Sequence, residues 1–194
     1  MIRQLQKDAT HRRIIRSAAR RLRQRGLRET TVGGVMADAH LTVGGFYAHF
    51  RSKSALVTEA FVQASEEMKT VLLSKLDAAS PEGWLLAVVR GYVTSKHRDA
   101  KPPLCALPVT VSEAARAGRG ERRAYAEACA RFLTALEERT TPLTGDRQAA
   151  RERALELLVV LVGGVALSRA TRGMPLSDEI LEAARSLGER LSRP

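Results

Sequence analysis

The sequence TTVGGVMADAHLTVGGFYAHFRSK, residues 30–53, has the pattern of two short helices joined by a tight turn. Thr31 and Thr42 each precede an apolar segment, and threonine hydroxyls cap the unpaired N–H groups at helix starts. His40 lies between the segments, where such turns need a residue that tolerates positive φ. The stretch therefore predicts a helix-turn-helix, and the rest of the fold is arranged around it.

The second short helix, predicted over Val43–Phe50, divides its aromatic residues between two sides. Phe46 and Phe50 are four residues apart and face a small core, whereas Tyr47 and His49 face outward. Exposed aromatic and imidazole groups next to basic residues are a poor choice for solubility alone. They suit the floor of a DNA groove, so this segment is predicted to read DNA.

The positive charge of the chain is concentrated around this motif. Residues 1–53 contain 12 Lys or Arg against 3 Asp or Glu, a net of +9, whereas residues 54–194 contain 20 against 18, a net of +2. A nucleic-acid reader concentrates charge where phosphates arrive. The alternative, a solvated arginine-rich surface, explains the choice of arginine over lysine but does not explain the segregation.

Contacts to DNA are predicted for the polar or small residues of the motif and for the lysine after it. They are Thr31, Thr42, Val43, Gly44, Gly45, Tyr47, His49 and Lys53. Glycine inside a helix costs roughly 1 kcal/mol relative to alanine, so the glycine pairs of the motif need a reason. Close approach of the backbone to DNA is one interpretation, and tolerance of glycine in short supported helices is the other.

Apolar periodicity and helix breakers predict an all-α chain with a three-helix head, residues 1–53, and a larger helical body, residues 54–194. The residues before about Asp8 are predicted to be a mobile arm. Further helices are predicted over about 8–25, 53–77, 81–97, 104–117, 121–140, 147–172 and 178–191.

Composition excludes several classes of protein. The chain has neither an apolar run long enough to span a bilayer nor an apolar signal core at its start, so a cytoplasmic location is expected. Cys105 and Cys129 are too few for a disulfide framework or a zinc site of the CxxC type. Neither a metal nor a cofactor is predicted.

The motif also resembles a known family. The segment FYAHFRSK resembles the "LY-x-HF-x-SK" segment in the DNA-binding domain of the tetracycline-repressor-like (TetR) family. The residues that carry the resemblance are Thr31, Ala39, Leu41, Thr42, Phe46, Tyr47, His49, Phe50, Ser52 and Lys53. Met36, His40 and Gly45 depart from the usual family residues, and Gly45 replaces a frequent threonine that commonly meets DNA. The target sequence therefore cannot be taken from a relative.

The resemblance implies a homodimeric repressor that a small-molecule effector releases from a palindromic operator. In the family the last two helices pair with their copies in a four-helix dimer interface, and LLVVLVGGVALSRAT, residues 157–171, looks like that segment. Gly163 and Gly164 would let a second helix approach closely. The predicted interface residues are Leu158, Leu161, Val162, Val165, Ile180 and Leu187.

The effector site is predicted only loosely. Aromatic residues and one cysteine of the body are candidates to line a pocket, although aromatics at helical spacing are more often simple core. These candidates are Trp84, Tyr92, Cys105, Tyr125 and Phe132.

Two other functional classes remain open. One alternative is a non-specific, nucleoid-type DNA-binding protein without a ligand. An enzyme using His97 and Cys105 is less supported, because the sequence carries no Gly-rich or nucleophile signature. Whether the regulator represses or activates is not decided by these residues.

Overall fold

The computed structural model describes residues 2–73 and 80–194, and every regular element in these ranges is a helix, which confirms the predicted all-α fold. The elements are α1 (Ile2–Arg25), α2 (Val32–Asp38), a 3₁₀ helix (Val43–Ala48), α3 (Lys53–Leu73), α4 (Pro81–Tyr92), α5 (Ser95–Asp99), α6 (Leu107–Arg116), α7 (Arg119–Thr144), α8 (Arg147–Ala170) and α9 (Pro175–Leu191).

The chain forms two compact units. The first unit comprises the residues up to Glu67 together with Cys105–Ala128, and the second comprises Met68–Leu104 and Cys129–Pro194. Helices α3 and α7 therefore contribute residues to both units. The predicted division at residue 53 separates DNA reading from the other functions and stays a prediction, whereas these units are defined by packing.

The core of the first unit forms where α1 packs against α2. Ile14, Ala18 and Leu22 recur along one side of α1 and are fully buried, as are Val35 and Met36 of α2. Burying a large aliphatic side chain stabilises a protein by about 2 kcal/mol, so this stripe holds α2 in place. The second short helix then packs on α2.

The second unit is built around the pairing of α8 with α9. Leu157, Leu161 and Val165 of α8 are fully buried. At Gly164 a Cβ atom would lie 2.6 Å from the Cβ of Ala184 in α9, so only glycine allows the two helices to approach this closely. One of the two adjacent glycines of α8 thus serves packing within a single chain.

Several predicted helix boundaries are confirmed, each through the chemistry that predicted it. Gly26 ends α1 with φ at +81°, and His40 occupies the turn with φ at +53°. Pro81 opens α4 behind Ser80, whose hydroxyl accepts a hydrogen bond from the N–H of Gly83 at 3.0 Å.

The beginning of the chain differs from the prediction, because α1 begins at Ile2 rather than near Asp8. Arg, Gln, Leu and Lys at positions 3–7 are all good helix formers. The side-chain amide of Gln4 also donates to the carboxylate of Asp8, one turn later, at 2.9 Å. The predicted mobile arm is therefore wrong, and these residues continue the helix.

Two boundaries in the body also differ. The predicted helix over residues 81–97 breaks after Tyr92, and Thr94 caps the short α5 by accepting from the N–H of His97 at 3.0 Å. Helix α7 runs past its predicted end to Thr144 with Pro142 inside it. Proline removes the N–H that would bond the carbonyl of Glu138, and in the same turn the hydroxyl of Thr141 donates to the carbonyl of Glu137 at 2.7 Å. The predicted end of the helix after Lys53, near residue 77, lies outside the described residues.

Candidate nucleic-acid interface

The segment predicted to read DNA is a 3₁₀ helix over Val43–Ala48, not an α-helix over Val43–Phe50. Gly44 and Gly45 have low helix propensity, and a short segment favours the tighter turn. Thr42 occupies the N-cap position with extended backbone, but its side chain makes no capping hydrogen bond. Its exposed hydroxyl is therefore available to a ligand.

Aromatic pairs fix this segment from inside and present one ring outside. Phe46 is buried and stacks on Phe50 with ring centroids 5.5 Å apart. Tyr47 contacts Phe46 edge to face at 5.2 Å, yet 77% of Tyr47 is exposed, as is 52% of Val43. An exposed phenol on a rigid support can make both apolar and hydrogen-bonding contacts to a groove.

The start of α2 presents a second part of this surface. Thr31 is exposed, and its hydroxyl accepts from the N–H of Gly34 at 3.1 Å, which confirms the predicted cap. The guanidinium of Arg21 occupies the place where a Cβ on Gly34 would project, so packing explains this glycine. A Cβ atom added at Gly33 or at Gly44 would meet nothing within 4 Å. Close approach to DNA therefore stays an interpretation for these two glycines.

Arg21 holds α2 in its orientation. Its buried guanidinium donates from Nη1 to Asp38 Oδ2 at 2.8 Å and from Nη2 to the carbonyl of Glu29 at 3.2 Å. The hydrogen bond from Arg21 lowers the pKa of Asp38, so this carboxylate stays ionised at neutral pH. One side chain of α1 thus joins the loop before α2 to the last residue of α2.

The sequence predicts that His49 faces outward, but the structure half-buries it. Its ring centroid lies 5.9 Å from that of His11. His11 stacks on Phe50 at 4.6 Å, and its Nε2 lies 2.8 Å from the carboxylate of Glu59. Burial and then the charges of His11 and Lys7 lower the pKa of His49. The imidazole of His49 is therefore neutral at physiological pH.

Lys53 opens α3 behind Ser52, whose hydroxyl accepts from the N–H of Ala55 at 3.1 Å. The Lys53 side chain is half-buried, and its Nζ lies 3.8 Å from Oε1 of Glu121. A partly exposed ion pair contributes only about 0–1 kcal/mol, so a phosphate group can displace the carboxylate. Among the eight predicted DNA contacts, Gly45, His49 and Lys53 are half-buried, and the other five are exposed.

The predicted pocket residues are divided between the two units. In the second unit the ring of Tyr92 lies 5.8 Å from that of Phe132, and Trp84 stacks under the guanidinium of Arg139 at 5.2 Å. Cys105 is buried in the first unit, where the hydroxyl of Tyr125 donates to the carbonyl of Leu107 at 3.4 Å. The pocket assignment stays a prediction.

Sequence reasoning did not place His97 in the core, although the structure buries it fully. Its Nδ1 lies 2.7 Å from the carbonyl of Tyr92, which can only accept, so Nδ1 carries the proton. Burial lowers the pKa of His97 to about 4, and the ring is neutral. Its burial and neutrality indicate a packing role and give no support to the alternative of an enzyme that uses His97 and Cys105.

The predicted dimer residues fall on two sides of their helices. Leu161 and Val165 are fully buried within one chain, so they are not accessible to a partner, and Val162 is buried as well. Leu158 and Ile180 are half-buried, and Leu187 is exposed.

The exposed apolar side of α8 carries Leu155, Val159 and Leu167, which the predicted interface does not include. These residues are separated by four and eight positions, and this helical spacing is the sequence signal that places them on one side of α8.

Among the described residues, none of the helices is both long and apolar enough to cross a membrane. The same part of the chain contains no group of three or more His, Cys, Asp or Glu side chains placed to hold a metal ion.

Comparison with known proteins identifies the relatives of this fold. The family model for bacterial regulatory proteins of the tetR family matches residues 14–60, which include α2, the 3₁₀ helix and the beginning of α3. No protein of curated function matches the sequence significantly.

Solved structures match over almost the whole chain. A TetR-family transcriptional regulator from Cytophaga hutchinsonii is 25% identical, with a TM-score of 0.71 and 94% of each chain covered. A TetR transcriptional regulator from Chloroflexus aurantiacus is 21% identical, with a TM-score of 0.68, covering 95% of this chain and 93% of that one. NemR of E. coli in its reduced form is 17% identical, with a TM-score of 0.70, covering 94% and 96%. The last two share the fold.

Proposed function

Because this chain belongs to the TetR family of transcriptional regulators, we propose that it is a homodimeric repressor that a small molecule releases from a palindromic operator. DNA binding follows from the family. The dimer, the operator symmetry, the direction of regulation and the effector belong to the proposal.

The observation that carries the proposal is the exposed face of the 3₁₀ helix on its aromatic support. Tyr47 projects from a backbone that the buried Phe46 fixes, and the exposed Thr42 and Val43 precede it. Side chains on rigid elements read base edges in a groove, while neighbouring cations fix the protein on the phosphates.

The dimer is supported by two apolar stripes that one chain leaves exposed. On α8, Val159 is 69% and Leu167 is 60% exposed, and on α9 Leu176 and Leu187 are exposed on a line with the half-buried Ile180. Apolar stripes on adjacent helices of a soluble protein mark an interface. Two-fold pairing would bring the stripes of two chains together as a four-helix arrangement.

A two-fold dimer carries two copies of the recognition segment. Each copy would enter the major groove of one half-site, so the operator should be a palindrome with half-sites at least a helical turn, ~34 Å, apart. Repression would follow where such an operator overlaps a promoter.

Release by an effector needs only a difference in affinity between two conformations. The small molecule would bind more tightly to the conformation of the dimer in which the two DNA-reading heads are spaced wrongly for the operator. It would then lower the affinity for DNA by the difference between its own affinities for the two conformations. Tyr92 and Phe132, 5.8 Å apart in the second unit, support an aromatic lining. Trp84 lies in the same unit and remains a candidate for this lining, and Cys105 and Tyr125 of the first unit stay predictions.

Selection from random duplex DNA at near-physiological salt, followed by sequencing of the bound pool, tests the proposal. The expected result is an enriched palindrome that binds two protomers. Absence of enrichment would identify a non-specific, nucleoid-type binder and overturn the repressor. Small molecules are then screened by their ability to release the protein from the recovered operator.

A further inference from the structure

The first three turns of α1 and His49 border a groove of about 560 Å³ in the first unit. Its lining residues are Arg3, Gln4, Gln6, Lys7, Thr10 and His49. A mobile arm would leave most of these side chains without a fixed position. Because α1 begins at Ile2, Arg3, Lys7 and Thr10 instead follow one another at helical spacing along one side of α1.

The groove is positively charged, and no carboxylate lines it. Arg3 and Lys7 are exposed, and neither forms an ion pair in the described part of the chain. The nearby Asp8 accepts a hydrogen bond from Gln4. Lys7 and His49 both line the groove, and burial followed by the charges of His11 and Lys7 lowers the pKa of His49. An anion in the groove would relieve this concentration of positive charge.

The other groups of the groove are hydrogen-bond donors. Gln6 has an amide and Thr10 a hydroxyl, and the buried Nδ1 of His49 has no partner in the described structure. A neutral imidazole carries one N–H group, so the ring of His49 supplies one donor. Cations combined with amide, hydroxyl and imidazole donors are the groups that bind phosphate oxygens.

We propose that this groove binds the phosphate backbone of the duplex that the 3₁₀ helix reads, and so adds sequence-independent contacts at each half-site. The inference rests on the proposed function. The occupant is DNA because His49 directly follows the 3₁₀ helix and also lines the groove. The groove therefore borders the surface that carries Tyr47.

A second groove along α1 is also cationic but differs from the first in two respects, because carboxylates line it and the 3₁₀ helix does not adjoin it. It has a volume of about 540 Å³ and is lined by Arg13, Arg16, Arg20 and Arg23, but also by Asp38 and Glu67. Arg23 pairs with Glu67, and Asp38 pairs with Arg21. Carboxylates of the chain itself thus partly neutralise this groove, and no residue of the 3₁₀ helix lines it.

The test compares the salt dependence of DNA binding for three proteins on the selected operator. They are the wild type, Arg3→Gln/Lys7→Gln, and the control Lys96→Gln/Arg131→Gln, which removes one exposed lysine and one exposed arginine from the second unit. Each lost phosphate contact lowers the slope of log K against log[salt] by about 0.9, so four contacts in a dimer lower it by about 3.6. Affinity at 0.15 M salt falls by at least about tenfold. The control and the charge-retaining Arg3→Lys/Lys7→Arg keep the wild-type slope.

Phosphate-ethylation interference gives the location, and the groove variant is expected to lose sensitivity at particular phosphates of each half-site. An unchanged slope with an unchanged interference pattern, or an equal loss in the control, overturns the proposal. If the double variant does not fold, Lys7→Gln alone is measured, with an expected change of about 1.8. Equal affinity for operator and random duplex would sink the specific repressor, while the slopes on random duplex still test the groove.

Discussion

The molecule exposes two surfaces of opposite character. The surface at the head is polar and cationic, with Tyr47 supported by a short 3₁₀ helix beside Arg3 and Lys7. The surface on α8 and α9 is apolar, with Val159 and Leu187 projecting from long helices. Binding by the first should weaken steeply with salt, because it exchanges counterions for contacts, whereas burial of the second should be nearly insensitive to salt.

This difference separates two steps of function that a single affinity measurement combines. A change on the apolar surface should act first on assembly and through it on DNA binding. A change on the polar surface should act on DNA binding alone. Variants matched in chemistry but placed on the two surfaces therefore distinguish them.

The largest effect is expected for Val159→Glu. A carboxylate buried in an apolar interface costs several kcal/mol, so the dimer should dissociate. Because two linked half-site contacts then become independent, operator affinity should fall by about 100-fold or more. Light scattering coupled to size exclusion gives the mass, and titration of the operator gives the affinity.

The matched control for this variant is Val111→Glu, which places the same charge at a 40% exposed valine of α6. It should keep the wild-type mass. A Val159→Glu protein that remains dimeric would contradict the assignment of the interface to the α8 stripe.

The second unit should also carry a stability that acid removes through His97. The folded histidine takes up a proton only near pH 4, whereas the unfolded one does so near its ordinary pKa of 6.5. The stabilisation is therefore complete above pH 6.5 and is lost as pH falls to 4, by about 3 kcal/mol. Urea unfolding of the wild type and of His97→Asn between pH 7 and pH 4 measures it. Parallel pH profiles would show that His97 does not titrate in this way.

On the polar surface, Tyr47→Ala should reduce operator affinity by about 1–3 kcal/mol through lost groove contacts. Because 77% of Tyr47 is exposed, the dimer mass and the unfolding midpoint should not change. Affinity for random DNA should change less than affinity for the operator. An equal loss on both duplexes would mean that Tyr47 reads no sequence.

The smallest effect separates two adjacent glycines of α8. Gly164→Ala places a methyl group against Ala184 and should destabilise the chain by about 1–2 kcal/mol. Within one chain the methyl group of Gly163→Ala meets nothing within 4 Å and should favour the α8 helix by about 0.5–1 kcal/mol. Because Gly163 lies between Val159 and Leu167 on the proposed interface, the dimer mass of this variant is measured as well. Urea unfolding at fixed protein concentration compares them. Equal effects at the two positions would contradict this packing of α8 on α9.

The head was predictable from the sequence because local chemistry decides it. Residue types a few positions apart determine three of its features, which are the positive φ of His40, the cap at Thr31 and the inward pair Phe46 and Phe50. The helical start of the chain was missed because the residues before Asp8 show no apolar periodicity. The sequence predicts a capping hydrogen bond to Thr42 that the structure does not contain, because a hydroxyl can cap a helix only where the backbone turn allows it.

The orientation of α8 was not predictable in the same way. The helix is apolar on most sides, so periodicity does not say which side α9 of the same chain covers. The choice of Leu161 and Val165 fell on the covered side, and the exposed side became clear only from burial. The effector pocket stays a prediction for a related reason, because aromatic residues at helical spacing fill cores and line pockets alike.

The most direct test of a dimeric, sequence-specific regulator is the dissociation constant for three duplexes at near-physiological salt. These are the selected operator, the same duplex with one half-site scrambled, and the duplex with both half-sites scrambled. The account predicts a large loss of affinity at each step, reaching about 1,000-fold or more between the first and the last. Equal affinity for all three duplexes would contradict it.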